Sequence, residues 1–424
     1  MQVSDPALLS LAQAREVPPR ELVQACRARI ERWQPRINAF LEVVENPKPG
    51  VPLAHKDMFY RAGRVSTCGS KIRRDWVANE TSAALERLDA AGFADLGRLN
   101  MSEFAYGPTG HNEHFGDCRN PWNPDYITGG SSSGSGAAVA ARLVFGALGS
   151  DTGGSVRLPA AACGVTGLKT TWGRVSLRGA MPLSHSLDTI GPLARSAEDC
   201  AILMHAITGE DYSTQKRDLR VAISAGWIER NADPEVAAAV LAAARILDRN
   251  PLEVEPPDFD TLSAHCLVVM QAEASAQHAQ WMRERPGDYS SAVRARLEAG
   301  YAIPATAYLE TLRLRAASLE RFCAQTLGAA DVYLLPTIPV PLPSREQTGP
   351  KGGADMPRLL SDLTRLTRWV NYLGVPALAL PCGFDARGLP VSLQLVGRPS
   401  SEALLLAAGQ RCQRATDWHQ RVPA

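Results

Sequence analysis

The stretch Gly129–Pro159, GGSSSGSGAAVAARLVFGALGSDTGGSVRLP, places two glycine–serine loops around one alanine-rich segment. The first loop is Gly129–Gly136, with Ser131, Ser132, Ser133 and Ser135. The second is Gly149–Arg157, where Ser155 follows Gly153 and Gly154. Between them, Ala137–Arg142 carries residues that favour a helix, and Val144–Gly149 reads as a short apolar strand. Glycines allow sharp turns and close approach to a ligand. Successive backbone N–H groups in such a turn form a concavity that stabilises an anion. A serine in that loop has an oxyanion hole at hand, and a serine of the other loop can pass it a proton. Neither acts until a base activates it.

Simpler readings of the first loop exist. Glycine–serine runs serve as flexible linkers. Gly130–Gly134 is also a G-x-S-x-G centred on Ser132, the nucleophile-elbow pattern, but that elbow needs a strand before it. Asn120, Pro121, Pro124 and Thr128 precede this one, and they are loop residues. No G-x-x-x-x-G-K-[ST] phosphate loop is present.

Taken whole, the stretch resembles the signature of the amidase signature family. Gly130, Ser131, Ser133, Gly134, Gly149, Asp151, Gly153, Ser155, Val156, Arg157, Pro159 and Ala160 stand where that signature has them. Ser155 lies 24 residues after Ser131, the family's spacing. The family has a lysine in a G-V-P-x-x-x-K-D context, and this chain has Gly50-Val51-Pro52-Leu53-Ala54-His55-Lys56-Asp57, with Lys56 75 residues before Ser131. Asn100–Phe104, Asn120–Trp122, Gly164–Thr171 and Asp188–Pro192 resemble further landmarks, with Thr170 in place of the family's proline.

The resemblance implies a single α/β domain spanning residues 1–424, with its signature region at about 50–195. A large mixed twisted β-sheet would be covered by helices on both faces. It implies a relay in which neutral Lys56 takes a proton from Ser131, Ser131 takes one from Ser155, and Ser155 attacks the substrate carbonyl. Free lysine has a pKa near ~10.4, so burial must lower that of Lys56. The N–H groups of Thr152, Gly153, Gly154 and Ser155 are the candidate oxyanion hole. The peptide Gly130–Ser131 is expected to be cis. Gly129, Gly130, Met101 and Met181 are candidate substrate contacts. No cofactor or metal is implied.

Supporting roles follow. Ser132 supports its loop, Ser133 fits a helix N-cap, and Asp151 orders the Gly153–Ser155 turn. Arg157 either ties the loop together or grips a substrate carboxylate; Asp188 is structural or catalytic. The pocket walls are expected from residues 58–70, 101–118, 172–187 and 270–345, and Trp172, Met181, Trp281, Tyr301 and Tyr308 hint at an apolar or aromatic substrate group.

Along the chain, Ala7–Glu16, Arg20–Trp33 and Thr81–Ala91 read as helices, and Phe40–Val44 and Val51–His55 as strands. A strand at Val51–His55 would put Lys56 at a carboxyl end, where α/β sheets place ligands. Asp233–Pro234 starts a helix towards Leu247. Residues 265–320 read as helices broken near Pro286 and Pro304. Asp331–Leu335, Pro376–Pro381 and Val391–Gly397 read as strands, Pro336–Pro357 as a long loop, and a helix follows from Glu402.

Composition narrows the classes. The 424 residues are 45% hydrophobic with net charge +1, which gives no electrostatic case for nucleic acid or an anionic membrane. The nine cysteines are scattered without a C-x-x-C, as expected of buried thiols in a reducing compartment. The N-terminus lacks the layout of a signal peptide, and no apolar run approaches ~20 residues. A cytoplasmic protein, monomeric or homodimeric, is expected.

Three functions remain open. One is hydrolysis of a small-molecule amide, with carbamates or esters accessible through the same acyl-enzyme. A second is the glutamine-hydrolysing A subunit of a tRNA-dependent amidotransferase, which works with a larger tRNA-binding partner. Ala272–Ser275 resembles that subunit, but Ala276–Trp281 does not, and Thr364 stands where an acid would receive glutamine's amino group. A third, a non-catalytic binder, is opposed by an intact Lys56, Ser131 and Ser155.

Overall fold

Apolar strands alternating with amphipathic helices build one mixed sheet with helices on both faces. The structure, a computed structural model, describes residues 5–213, 218–349 and 352–424. The expectations for the extreme N-terminus and for positions 350–351 of the Pro336–Pro357 loop lie outside the described residues.

The strands are β1 (Phe40–Val43), β2 (Val51–Lys56), β3 (Phe93–Leu99), β4 (Gly146–Asp151), β5 (Thr166–Lys169), β6 (Thr189–Ala194), β7 (Val221–Ile223), β8 (Leu252–Glu253), β9 (Val332–Pro336), β10 (Ala377–Phe384) and β11 (Pro390–Val396). They form one 11-stranded sheet in the order β1-β3-β2-β4-β6-β5-β10-β11-β9-β7-β8. The pairs β2–β3, β2–β4, β7–β8 and β7–β9 are parallel. Every residue of β2, β4, β5, β6, β9 and β11 is buried, as covered faces require.

Three adjacent strands position the site. β2 and β4 run parallel, so Lys56, Ser150 and Asp151 end at the same sheet edge. β6 runs antiparallel to β4 and pairs Thr189 with Asp151, which brings Asp188 there too. A fully buried helix, Ser133–Ala140, enters just after the first loop.

Several elements differ from the sequence reading. Ala7–Glu16 yields the short helices Pro6–Leu8 and Leu11–Ala14, because Ser10 and Gln13 form a capping box that starts a new turn. The helix after the first loop begins at Ser133 rather than Ala137, and β4 runs to Asp151 rather than stopping at Gly149. Pro357, read as the close of a loop, instead lies in the first turn of the helix Met356–Leu373, where proline's missing N–H costs nothing. The nine cysteines are free, eight of them buried. Among the described residues no helix is long and apolar enough to cross a membrane.

Candidate active site

Lys56 is the last residue of β2 and is wholly buried. Its Nζ lies 2.7 Å from Ser131 Oγ and 2.8 Å from Ser150 Oγ. A neutral amine has two N–H bonds and one lone pair, so it can donate to Ser150 and accept the Ser131 hydroxyl proton. Burial pulls the lysine pKa down from 10.5 to about 7, although the nearby charges of Asp188 and Asp151 act to raise it. The sequence reading missed Ser150. Its only signal there is its place beside Gly149, at the end of a strand parallel to that of Lys56.

Ser131 is also wholly buried and follows a cis peptide from Gly130. Ser132 N–H donates to Ser155 O at 3.3 Å, so the two serine loops meet at this point. Of Lys56, Ser131 and Ser155, only Ser155 retains surface, at 9% exposure, and it alone lines a cavity of about 210 Å³. A ligand therefore reaches this cluster through Ser155.

The Ser155 loop is held from beneath by Asp151. Its carboxylate accepts from the N–H groups of Gly154 at 2.7 Å and Val156 at 3.1 Å, from Arg157 Nε and Nη2, both at 3.0 Å, and from Asn371 Nδ2 at 2.9 Å. Burial would raise this acid's pKa, but Arg157, Lys169 and Asn371 outweigh it and hold the carboxyl well below the usual range. Arg157 is fully buried and also donates to Gln394 Oε1, Thr367 O and Asn371 Oδ1. Its donors are engaged inside the protein, so the loop-tying reading of Arg157 is the one this geometry fits.

The same carboxylate changes the oxyanion expectation. Gly154 N–H is already donated to Asp151, so it is unavailable to a ligand. Among the described residues nothing accepts from the N–H groups of Thr152, Gly153 and Ser155, which remain as donors. Thr152 is fixed through its hydroxyl, which donates to Asp188 Oδ1 at 2.6 Å. Asp188 also accepts from the N–H groups of Leu183 and Ser184. Burial lifts its pKa to about 6 against those hydrogen bonds.

Other expected contacts fall elsewhere. Gly129 and Gly130 do not line the cavity; they permit close packing. A Cβ at Gly129 would lie 2.6 Å from Leu158 O, and one at Gly130 2.6 Å from Gly107 O. Met101 is fully buried outside the cavity lining. Met181 also lies outside it, with its sulfur accepting from Arg73 Nη1 at 3.2 Å. Ser133 does not cap its helix, since its hydroxyl turns to Asn100 O at 3.3 Å. Trp172 and Tyr301 are exposed, Trp281 stacks on Phe104, and Tyr308 donates to Glu273; none lines the cavity. What does line it, besides Thr152, Gly153 and Ser155 of the second loop, is Ala105–Pro108, Leu158, Leu183, Leu267, Met270, Gln271, Arg296, Thr364 and Arg368. Arg296 and Arg368 come from helices whose contact with Ser155 is long-range, and no local pattern marks them, whereas Thr364 is singled out in the sequence. Tyr106, Gly107 and Arg296 also border an adjoining cavity of about 700 Å³.

An eleven-stranded mixed sheet with this lysine and these serine loops at one edge has the architecture of the amidase signature enzymes, which are C–N hydrolases. The chain belongs to that family: the Amidase family model matches residues 21–406. It is 36% identical to the A subunit of the glutamyl-tRNA(Gln) amidotransferase of Thiobacillus denitrificans, with 98% of each chain covered. Among solved structures it resembles a chain from a vestigial protein complex that reveals the evolutionary origins of an s-triazine catabolic enzyme. The TM-score is 0.87 at 32% identity, over 96% of this chain and 98% of that one. It also resembles the A subunit of the glutamyl-tRNA(Gln) amidotransferase from Thermotoga maritima, with a TM-score of 0.83 at 28% identity, over 100% of this chain and 98% of that one.

Proposed function

We propose that the protein hydrolyses a small-molecule amide through an acyl-enzyme on Ser155. The observation that carries this reading is the buried Lys56 amine, with its pKa near 7, 2.7 Å from Ser131 Oγ. Lys56 accepts the Ser131 proton as Ser131 accepts that of Ser155, and Ser155 Oγ bonds to the carbonyl carbon. The N–H groups of Thr152, Gly153 and Ser155 stabilise the tetrahedral oxyanion; one such donor is worth ~3 kcal/mol of barrier. Ser131 returns a proton to the departing amine as the C–N bond breaks. Water then adds by the same relay, releasing the acid and free Ser155. Carbamates and esters offer the same carbonyl to the same nucleophile.

A second reading, the glutamine-hydrolysing A subunit of a tRNA-dependent amidotransferase, is favoured by the names of the relatives. It makes the chain one member of a larger assembly rather than a monomer or homodimer. Against it, Thr364 lines the Ser155 cavity and no acidic residue does. Ammonia release from glutamine, alone and against a panel of aryl, alkyl and carboxylate-bearing amides and a carbamate, separates the two. Ser155→Ala turning over any of these at the parent rate would end both.

A further inference from the structure

The cavity beside Ser155 holds two cations and no acid. Arg296 and Arg368 both line it, and none of its lining residues is Asp or Glu. Arg296 uses one nitrogen, Nη1, to donate to Tyr106 O at 2.8 Å. Arg368 makes no hydrogen bond or ion pair with any described residue. Its stem lies over the nucleophile loop, where a Cβ added to Gly153 would sit 3.5 Å from Arg368 Cγ. Burial lowers the pKa of both guanidinium groups, and the charge of Arg296 lowers that of Arg368 further, so the two cations feel each other. Arginine does not escape by losing its proton. Two like charges turned into a small cavity without a counter-ion are costly unless a ligand brings the opposite charge. A planar carboxylate is the anion that matches a guanidinium fork.

We propose that Arg368, with Arg296 beside it, binds a carboxylate of the substrate, so that the enzyme acts on amides bearing a carboxylate and no neighbouring ammonium group. This rests on Ser155 being the nucleophile. The carboxylate sits on Arg368, which places the amide carbonyl over the loop below it. An ammonium group in the same cavity meets two cations and no acid, which disfavours an amino-acid amide such as glutamine.

The test compares matched amides on the full chain: succinamate, glutaramate and adipamate, their neutral alkylamide counterparts, and glutamine. The best carboxylate-bearing amide is expected to exceed its neutral counterpart by about 100-fold or more in kcat/KM, and to exceed glutamine. In Arg368→Met, and in Arg368→Gln as a polar control, that preference, read as the ratio of the two kcat/KM values within each variant, falls below about tenfold. A neutral fluorophosphonate that labels Ser155 gives an independent readout. Glutarate or a homologous dicarboxylate slows labelling of the parent and not of Arg368→Met. Equal rates on neutral and anionic amides, faster turnover of glutamine than of glutaramate, or labelling that no dicarboxylate slows overturns the proposal and leaves the acyl-enzyme reading standing. A Ser155 that the probe never labels removes both.

Discussion

Lys56 couples catalysis and stability to pH through one proton. As the proposed base it acts only when neutral, so kcat/KM is expected to rise about tenfold per pH unit below about 7 and to level above it. A pH–rate profile checks this. Asp188 supplies negative charge that favours protonated Lys56. Removing that charge in Asp188→Asn is therefore expected to move the rising limb to lower pH, and an unmoved or raised midpoint would contradict this assignment. Stability moves with the same group. The folded pKa lies below the unfolded value of 10.5, so between about 7 and 10.5 the unfolded chain binds more protons and stability rises with pH. Below about 7 both states are protonated and the full penalty is present, on the order of 4–5 kcal/mol at ~1.4 kcal/mol per unit. Lys56→Met is expected to be inactive and to lose that slope between about pH 7 and 10.5, read as unfolding midpoints across pH. Arg157 is the opposite case, a buried charge fully paired. Arg157→Met leaves the Asp151 carboxylate uncompensated, with an expected loss of about 3–5 kcal/mol in denaturant titration. Arg157→Lys will not restore it, because one ammonium cannot reach Asp151, Gln394, Thr367 and Asn371 together.

The element that completes the site is the helix Met356–Leu373. One of its faces holds the nucleophile loop: Thr367 Oγ1 donates to Gly153 O at 2.7 Å, and Asn371 Nδ2 donates to both Asp151 O and Asp151 Oδ1 at 2.9 Å. The same stripe of the helix offers Thr364 and Arg368 to the cavity. Gly154 sits where loop and helix touch, with φ of 127° and room for no side chain, since a Cβ would lie 2.4 Å from Thr367 Oγ1. Gly154→Ala is therefore expected to displace the oxyanion donors and lower kcat by about 100-fold, while the fold, followed by circular dichroism, persists. Gly154→Ala/Thr367→Ala removes the 2.4 Å contact while keeping one of 2.8 Å with the Cβ of residue 367, so it is expected to recover part of the loss and to lose less than the sum of the two single changes. This element was the least legible in the sequence. Its apolar positions Leu363, Leu366, Val370 and Leu373 keep helical spacing, but Pro357 lies at the end of a proline- and glycine-rich run and reads as loop. The signature loops were legible because their glycines, serines and lysine are fixed by local turn geometry and by spacing. The Gly154 N–H was misassigned because a sequence names the donors of a turn without saying which of them an interior carboxylate has already taken.

At the scale of the molecule, the site belongs to the N-terminal half but depends on the C-terminal half. Lys56, Ser131, Ser150, Asp151 and Ser155 all precede β5, and the sheet continues only through the pairing of β5 with β10. That join carries the buried Lys169, whose Nζ donates to Thr170 O and Val375 O, both at 2.8 Å. Arg157 reaches across to Gln394 on β11, and Gln394 Nε2 in turn donates to Leu366 O at 2.7 Å. β1, β2, β4, β9, β10 and β11 were readable from apolar runs, whereas β3, β5, β6, β7 and β8 were not read; nor was the join of β5 to β10, because it pairs strands about two hundred residues apart and no local pattern encodes such a contact. A fragment of residues 1–213 would keep every residue of the proposed relay. It would also leave β5 an open apolar edge, Arg157 without its acceptors on Gln394, Thr367 and Asn371, and the cavity without Arg296, Thr364 and Arg368. Such a fragment is expected to show no cooperative thermal transition by calorimetry and no fluorophosphonate labelling of Ser155. Co-expression with the remainder of the chain is expected to restore both, since the two halves share one sheet and one buried charge network. A labelled, cooperatively folding 1–213 fragment would show that the signature region organises its own nucleophile, and that the helix Met356–Leu373 serves only the substrate.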